Sequence, residues 1–112
     1  MAFWQALDGL GASHSIHIDR PRGSVEPTEP DLIYPMDYGY LENTVSSDRE
    51  GIDVWVGSLG SSVVTGVLCT IDARKADSEV KLLIGCTPDE ARQALAIHNR
   101  GSQSALLLER PV

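Results

Sequence analysis

Acidic side chains crowd into two short runs of this chain. "DREGIDV", residues 48–54, places Asp48, Glu50 and Asp53 at the mouth of an apolar run, and "IDARKADSEVK", residues 71–81, carries Asp72, Asp77 and Glu79 with Lys81 two positions on. Carboxylates held this close raise one another's pKa values unless something offsets the repulsion. Solvation in a turn, a bound cation, or an acid–base pair would each do so. Hard cations such as Mg2+ favour an oxygen-rich, water-accessible setting of this kind. In an extended chain residues i and i+2 share a face, so Asp48 and Glu50 point together and Glu79 and Lys81 point together. Asp53 points away from Asp48 unless the backbone bends, and Gly51 is where a bend is cheapest. The spacing permits three converging acids without compelling them. A solvated turn and a charged hairpin remain the plain alternatives for the two runs.

Between Ile33 and Leu41 lie Tyr34, Tyr38 and Tyr40, all three of the chain's tyrosines. Core packing accounts for one or two of them. A phenol beside carboxylates also hydrogen-bonds an oxyanion or an ordered water.

The elements that must position these residues are mostly strands. "SHSIHIDR" alternates and reads as a strand. "PRGSVEPTEPD" holds three of the six prolines and reads as a loop. "LIYPMDYGYLE" reads as a strand broken or bulged at Pro35 and Gly39. "GIDVWVGSL", "SVVTGVLCTIDA" and "SEVKLLIGC" are β-rich runs, and "SALLLERP" is a last strand. "TPDEARQALAIHNRG" carries a full set of helix signals: Thr87 as N-cap, Pro88 at the first position, Glu90 closing a capping box and Gly101 as the stop. "FWQALDGLG" reads either as one short helical turn or as a packed irregular arm. The expected fold is mainly β (α+β), a small OB-like barrel of five to six strands, closed or partly closed, with one helix of the C-terminal half packed outside. In such a barrel the 72–81 hairpin can lie beside the strand beginning at Asp53, so that both acidic groups meet at one open end.

A chain of 112 residues with 42% hydrophobic content is expected to form one domain, residues 1–112. Its net charge of −7 argues against nucleic acid as a partner, because phosphate backbones need a basic face. Cys69 and Cys86 sit in apolar runs and read as buried, reduced thiols. The N-terminal stretch lacks a basic region and a long apolar run, and no segment approaches a membrane span, so the reading is a soluble, cytoplasmic chain.

The runs "IDRPRGS", "DLIYPMDYGYLENT", "DREGIDVWVG" and "VLCTID…SEVKLLIGC" come in an order that resembles the soluble family I inorganic pyrophosphatases. The likeness covers residues 16 to about 86. Its most specific part is "YPMDYGY" followed by an acidic D-x-[DE]-x-x-D. The family's D-x-D-P-x-D core is matched with Glu50 for the second aspartate and Gly51 for proline. The resemblance implies Mg2+-dependent hydrolysis of pyrophosphate to two phosphates. It implies Asp48, Asp53, Asp72 and Glu79 as metal ligands, with Asp77 competing for the last place, and Glu50 as the acceptor of the attacking water's proton. Tyr38 would orient the reacting phosphate beside Tyr34, and Lys81 would contact phosphate. Arg20 or Arg22 would replace a phosphate-binding arginine that has no direct match. Asn99-Arg100 stand where the family has Tyr-Lys, keeping the cation and losing the phenol. Ser15 and His17 replace a lysine and a glutamate. The family's habit of association implies a homo-oligomer, with the "FWQAL" arm or the helix face as contacts. The thinned set of cations leaves a second reading, a non-catalytic pyrophosphatase-like module that binds metal or phosphate or mediates interactions. An OB-like oligonucleotide binder is opposed by the acidity.

Overall fold

Alternation of apolar residues along three central strands gives this fold two separate cores. In the computed structural model, which describes residues 2–112, the elements run α1 (Phe3–Ser13), β1 (Ile16–Arg20), β2 (Val25–Glu26), β3 (Glu29–Ile33), β4 (Asp37–Leu41), β5 (Ile52–Val56), β6 (Val64–Asp72), β7 (Asp77–Ile84), α2 (Pro88–Ile97) and β8 (Gln103–Glu109). Six strands form one mixed sheet in the order β1-β4-β5-β7-β6-β8, and β2-β3 form a separate two-stranded ribbon. The β5–β7 pair is parallel and the other pairs are antiparallel. The sheet stays open, with β1 and β8 at its edges. This is a small OB-like α+β arrangement rather than a closed barrel.

Neighbouring residues on each central strand face opposite ways. Trp55, Leu68 and Leu83 pack with Tyr34, Met36 and the α2 residues Ala91 and Ala94. Val54, Val67 and Leu82 pack with Leu41, Ile84 and the α1 residues Trp4, Leu7 and Leu10. The two helices therefore cover opposite faces.

Local signals account for α2. The Thr87 hydroxyl accepts from Glu90 N at 3.1 Å, and the Glu90 carboxylate accepts from Thr87 N at 2.9 Å. Gly101, at φ +59°, turns the chain after the helix. The N-terminal run differs from both sequence expectations: α1 is a full helix of 11 residues. Two glycines and an uncapped start do not favour it, and packing of Trp4, Leu7 and Leu10 supplies what propensity lacks. Asp8 adds a pin, accepting from Val64 N at 3.1 Å and from Arg110 Nη1 at 2.8 Å. Trp4 and Leu7 of the "FWQAL" segment thus face the sheet, while Phe3 stays exposed.

The proline-rich stretch is also more regular than a loop, since it folds as the β2–β3 ribbon. Pro30 is tolerated there because a two-stranded ribbon leaves each strand an unpaired edge. Cys86 is buried and Cys69 is exposed, both free; burial pushes the Cys86 thiol up to about 12. Cys69 shares its bare surface with Ile71, Val80, Leu106 and Leu108, beyond the part of that face which α1 covers. Among the described residues, no helix is long and apolar enough to cross a membrane.

Candidate active site

The β6–β7 hairpin sets the register of the acidic cleft. Asp72 lies opposite Asp77, Thr70 opposite Glu79, and Leu68 opposite Lys81. Asp53 stands near the start of β5, opposite Tyr40. On the other side of β6, Gln103 lies opposite Asp72. The result is a cleft of about 410 Å³ lined by Asp48, Glu50, Asp53, Asp72, Asp77 and Glu79, together with Thr70, Lys75, Lys81 and Gln103. The odd spacing of Asp48 and Asp53 is resolved by a bend: Arg49 has φ +66° and Gly51 has φ +105°. A side chain at residue 51 would be strained by that backbone and would meet Tyr40 Cδ2 at 2.9 Å.

Each acid is held differently. Asp48 accepts from Ser46 Oγ at 2.5 Å and from Glu50 N at 2.9 Å, and these bonds hold its carboxyl below the usual range. Asp72 Oδ1 accepts from Lys75 N at 3.1 Å, Ser102 Oγ at 2.8 Å and Arg74 N at 3.0 Å, so it both orders the hairpin turn and stays low in pKa. Glu79 goes the other way. Burial raises it, the Lys81 charge opposes that rise, and a hydrogen bond shared with Asp48 adds to it.

Lys81 is 4% exposed and lies inside the group. Its Nζ donates to Asp53 Oδ2 at 2.7 Å, Tyr38 Oη at 2.9 Å and Glu79 Oε1 at 3.1 Å, which uses all three N–H bonds. Burial disfavours the ammonium, but Tyr38 and Asp53 outweigh it and raise the lysine's pKa. Burial likewise holds the Tyr38 phenol far above its ordinary value, so Tyr38 is a neutral hydroxyl at this site.

Among the described residues, no three Asp, Glu, His or Cys side chains converge as a ready-made metal cluster. The donors are nonetheless all oxygens on an open cleft, and Mg2+ is commonly held by one or two carboxylates with water and phosphate completing the shell. The donor chemistry fits that mode of binding rather than an all-protein cage.

Tyr38 reaches the cleft only through its bond to Lys81, and four other residues singled out from the sequence do not line it. Tyr34 donates to Glu26 Oε2 at 2.5 Å; burial and that carboxylate push its phenol up to about 12. Its ring packs 5.7 Å from that of Trp55. Arg20 faces Glu26 at 3.8 Å, and Arg100 pairs with Glu29 at 3.2 Å. Arg22 lines a separate hollow of about 180 Å³ with Asp37 and Glu90.

Sequence reasoning missed Thr70, Lys75 and Gln103 in the cleft, and His98 behind it. His98 is buried between Trp55, whose Nε1 donates to its Nε2 at 3.0 Å, and Gln103, whose Oε1 lies 3.1 Å from its Nδ1. Burial, reinforced by the Lys81 charge, drops its pKa to about 4. The available signal was strand parity, since Thr70 and Asp72 alternate on one face of β6.

No protein-family model matches the chain, and no curated protein sequence does. Solved structures do. An inorganic pyrophosphatase from the pathogenic bacterium Helicobacter pylori superposes with a TM-score of 0.55 at 14% identity, covering 84% of this chain and 81% of that one. An inorganic pyrophosphatase from Neisseria gonorrhoeae gives a TM-score of 0.51 at 15% identity, covering 89% of this chain and 77% of that one. The fold is pyrophosphatase-like. At these identities the likeness is one of backbone. A pyrophosphatase-like sheet thus carries the acidic cleft on the face that α2 covers, at the end where β6 turns into β7.

Proposed function

We propose that the protein hydrolyses inorganic pyrophosphate to two phosphates in a metal-dependent reaction. The observation that carries this reading is that six acids, Lys75 and the Lys81–Tyr38 pair line or border one open cleft on a pyrophosphatase-like fold. A cleft so rich in carboxylates repels a bare polyanion, so pyrophosphate would enter it only with cations. Asp48, Asp53, Asp72, Asp77 and Glu79 are the side chains that would hold Mg2+. When bound, Mg2+ would neutralise phosphate charge and lower the pKa of coordinated water.

The chain's own residues supply the rest. Glu50 would accept the proton of the attacking water, while Glu79, raised in pKa by burial against the opposing charge of Lys81, stays paired with that lysine. Lys81 lines one side of the cleft with the Tyr38 hydroxyl bonded to it, and the pair would orient a phosphoryl group there. A second reading, a binding module without turnover, is favoured by one specific feature: Arg20, Arg22 and Arg100 lie outside the cleft, and all three N–H bonds of Lys81 are spent on the protein.

Phosphate release from pyrophosphate with and without Mg2+ separates the two. The enzyme reading expects strictly Mg2+-dependent release, with Glu50→Gln lowering kcat about 100-fold, the usual worth of a general base. Metal-replete protein that releases no more phosphate than its Glu50→Gln variant leaves the binding module as the function.

A further inference from the structure

Behind the cleft, a chain of hydrogen bonds starts at Trp55 and ends on Gln103. An indole N–H can only donate, so the 3.0 Å contact from Trp55 Nε1 makes His98 Nε2 an acceptor. In a neutral imidazole the other nitrogen then carries the proton, and Nδ1–H donates to Gln103 Oε1 at 3.1 Å. Protonating His98 would set an N–H against the Trp55 N–H, so the neutral ring is the one this geometry accepts. With Oε1 engaged by His98, the end of the Gln103 amide left for the cleft it lines is the NH2, with two donors. A carboxamide bonds cations through its oxygen and anions through its nitrogen. Here the oxygen is occupied.

We propose that Gln103 is a phosphoryl-binding residue of the cleft, and that His98 is the positioning residue that keeps its donor end facing the ligand. The inference deepens the pyrophosphatase reading and rests on it for the class of ligand. In a cleft lined by six carboxylates, an uncharged donor grips a phosphoryl oxygen without competing for the acids as a cation does. Lys75, on the turn held by Asp72, lies in the same cleft and supplies a charge to go with it. The β6–β8 register sets Gln103 beside Asp72, so the ligand oxygen it takes is one near the hairpin. Because the bond is to an oxygen present before and during reaction, it acts on binding rather than on turnover.

The test uses methylenediphosphonate, which cannot be hydrolysed, with Mg2+ in calorimetry, alongside steady-state hydrolysis of pyrophosphate. Gln103→Ala is expected to weaken binding of the analogue about tenfold and to raise KM by a similar factor with little change in kcat, as loss of a hydrogen bond to a charged group does. His98→Phe should weaken binding by a smaller factor in the Gln103 background and by none in the Gln103→Ala background, since it acts only through the amide. Should His98→Phe not fold, Gln103→Glu serves, because a carboxylate there accepts from His98 but repels phosphate. Analogue binding unchanged in Gln103→Ala overturns the proposal while leaving hydrolysis untouched. Binding by the wild type with no hydrolysis overturns the enzymatic reading and leaves this one standing. No binding by the wild type overturns both.

Discussion

Lys81 Nζ lies 2.7 Å from Asp53 Oδ2 and 3.1 Å from Glu79 Oε1, so an internal ammonium stands between a carboxylate of the neighbouring strand β5 and one of its own strand β7. The side chains of Lys81 and Glu79 are almost wholly enclosed and that of Asp53 is a quarter exposed. The lysine thus does part of the charge balancing that a bound cation does elsewhere. Lys81→Met keeps the length of the side chain and removes the charge, leaving two partly buried acids unpaired. In the absence of divalent metal, the variant is expected to lose about 3 kcal/mol of stability, as broken buried pairs do. Mg2+ should then raise its Tm by more than it raises that of the wild type, because Asp53 and Glu79 are released for a cation. Equal Mg2+ shifts in the two proteins would place the cation away from these acids.

The buried His98 sets a pH dependence whose sign is fixed. Its pKa falls from the ordinary 6.5 to about 4 in the folded chain. Between these values the unfolded chain takes up a proton that the folded chain refuses, so stability is intact above pH 6.5 and drains as pH falls toward 4. The full loss amounts to about 3 kcal/mol. Glu79 works in the opposite direction, since its raised pKa lets the folded chain bind a proton first. Comparing the wild type with His98→Gln cancels Glu79 and isolates the histidine. Urea denaturation at pH 7 and pH 4.5 should show the wild type losing more than the variant; parallel losses would refute a neutral, buried His98.

Elements with local signals were legible from the sequence. The cap, first-turn proline and terminal glycine of α2 lie within one segment, and the strands carrying Asp53, Asp72 and Lys81 are β-rich runs. The helix α1 was not legible because its stability comes from Leu82 and Val64, which are distant in sequence. The acids of the cleft could be named because they cluster along the chain. Gln103 and His98 could not, since one gains its place from pairing with β6 and the other from Trp55, 43 positions away. The inward turn of Lys81 had the same origin.

Asn99 stands where the family has a phenol, and its side chain is engaged by the backbone at the edge of the sheet. It is not among the residues that line the cleft. Its Oδ1 accepts from Ala105 N at 3.0 Å, and its Nδ2 donates to Ala105 O at 3.3 Å and to Leu95 O at 3.1 Å. The amide occupies the outer edge of β8 as another strand would, and ties that edge to the end of α2. Unprotected edges invite pairing with other chains. Asn99→Tyr is therefore expected to lower stability by about 1–2 kcal/mol, the worth of the lost bonds, and to increase light scattering at high concentration. A Tyr variant of undiminished Tm with a faster hydrolysis rate would restore the family's assignment for this position.

Asp77 and Glu79 compete for one place as metal ligand on the hairpin, and their surroundings separate them. Glu79 is tied to Lys81 and its burial disfavours the carboxylate, so it must give up an ion pair before it ligates a cation. Asp77 faces Asp72, whose Oδ1 is fully engaged by turn donors and which presents its other oxygen from a carboxylate of low pKa. Millimolar Mg2+ should raise the Tm of the wild type, by about 1.4 kcal/mol of added stability at ten times the dissociation constant. Asp77→Asn is expected to remove most of that rise while leaving the Lys81 group intact and the metal-free Tm near that of the wild type. Glu79→Gln should retain more of the Mg2+ response at pH 8 than Asp77→Asn does, but should lower the metal-free Tm by loosening Lys81. The reverse order of Mg2+ responses would assign the ligand to Glu79 and would mean that Lys81 swings away from it when metal enters.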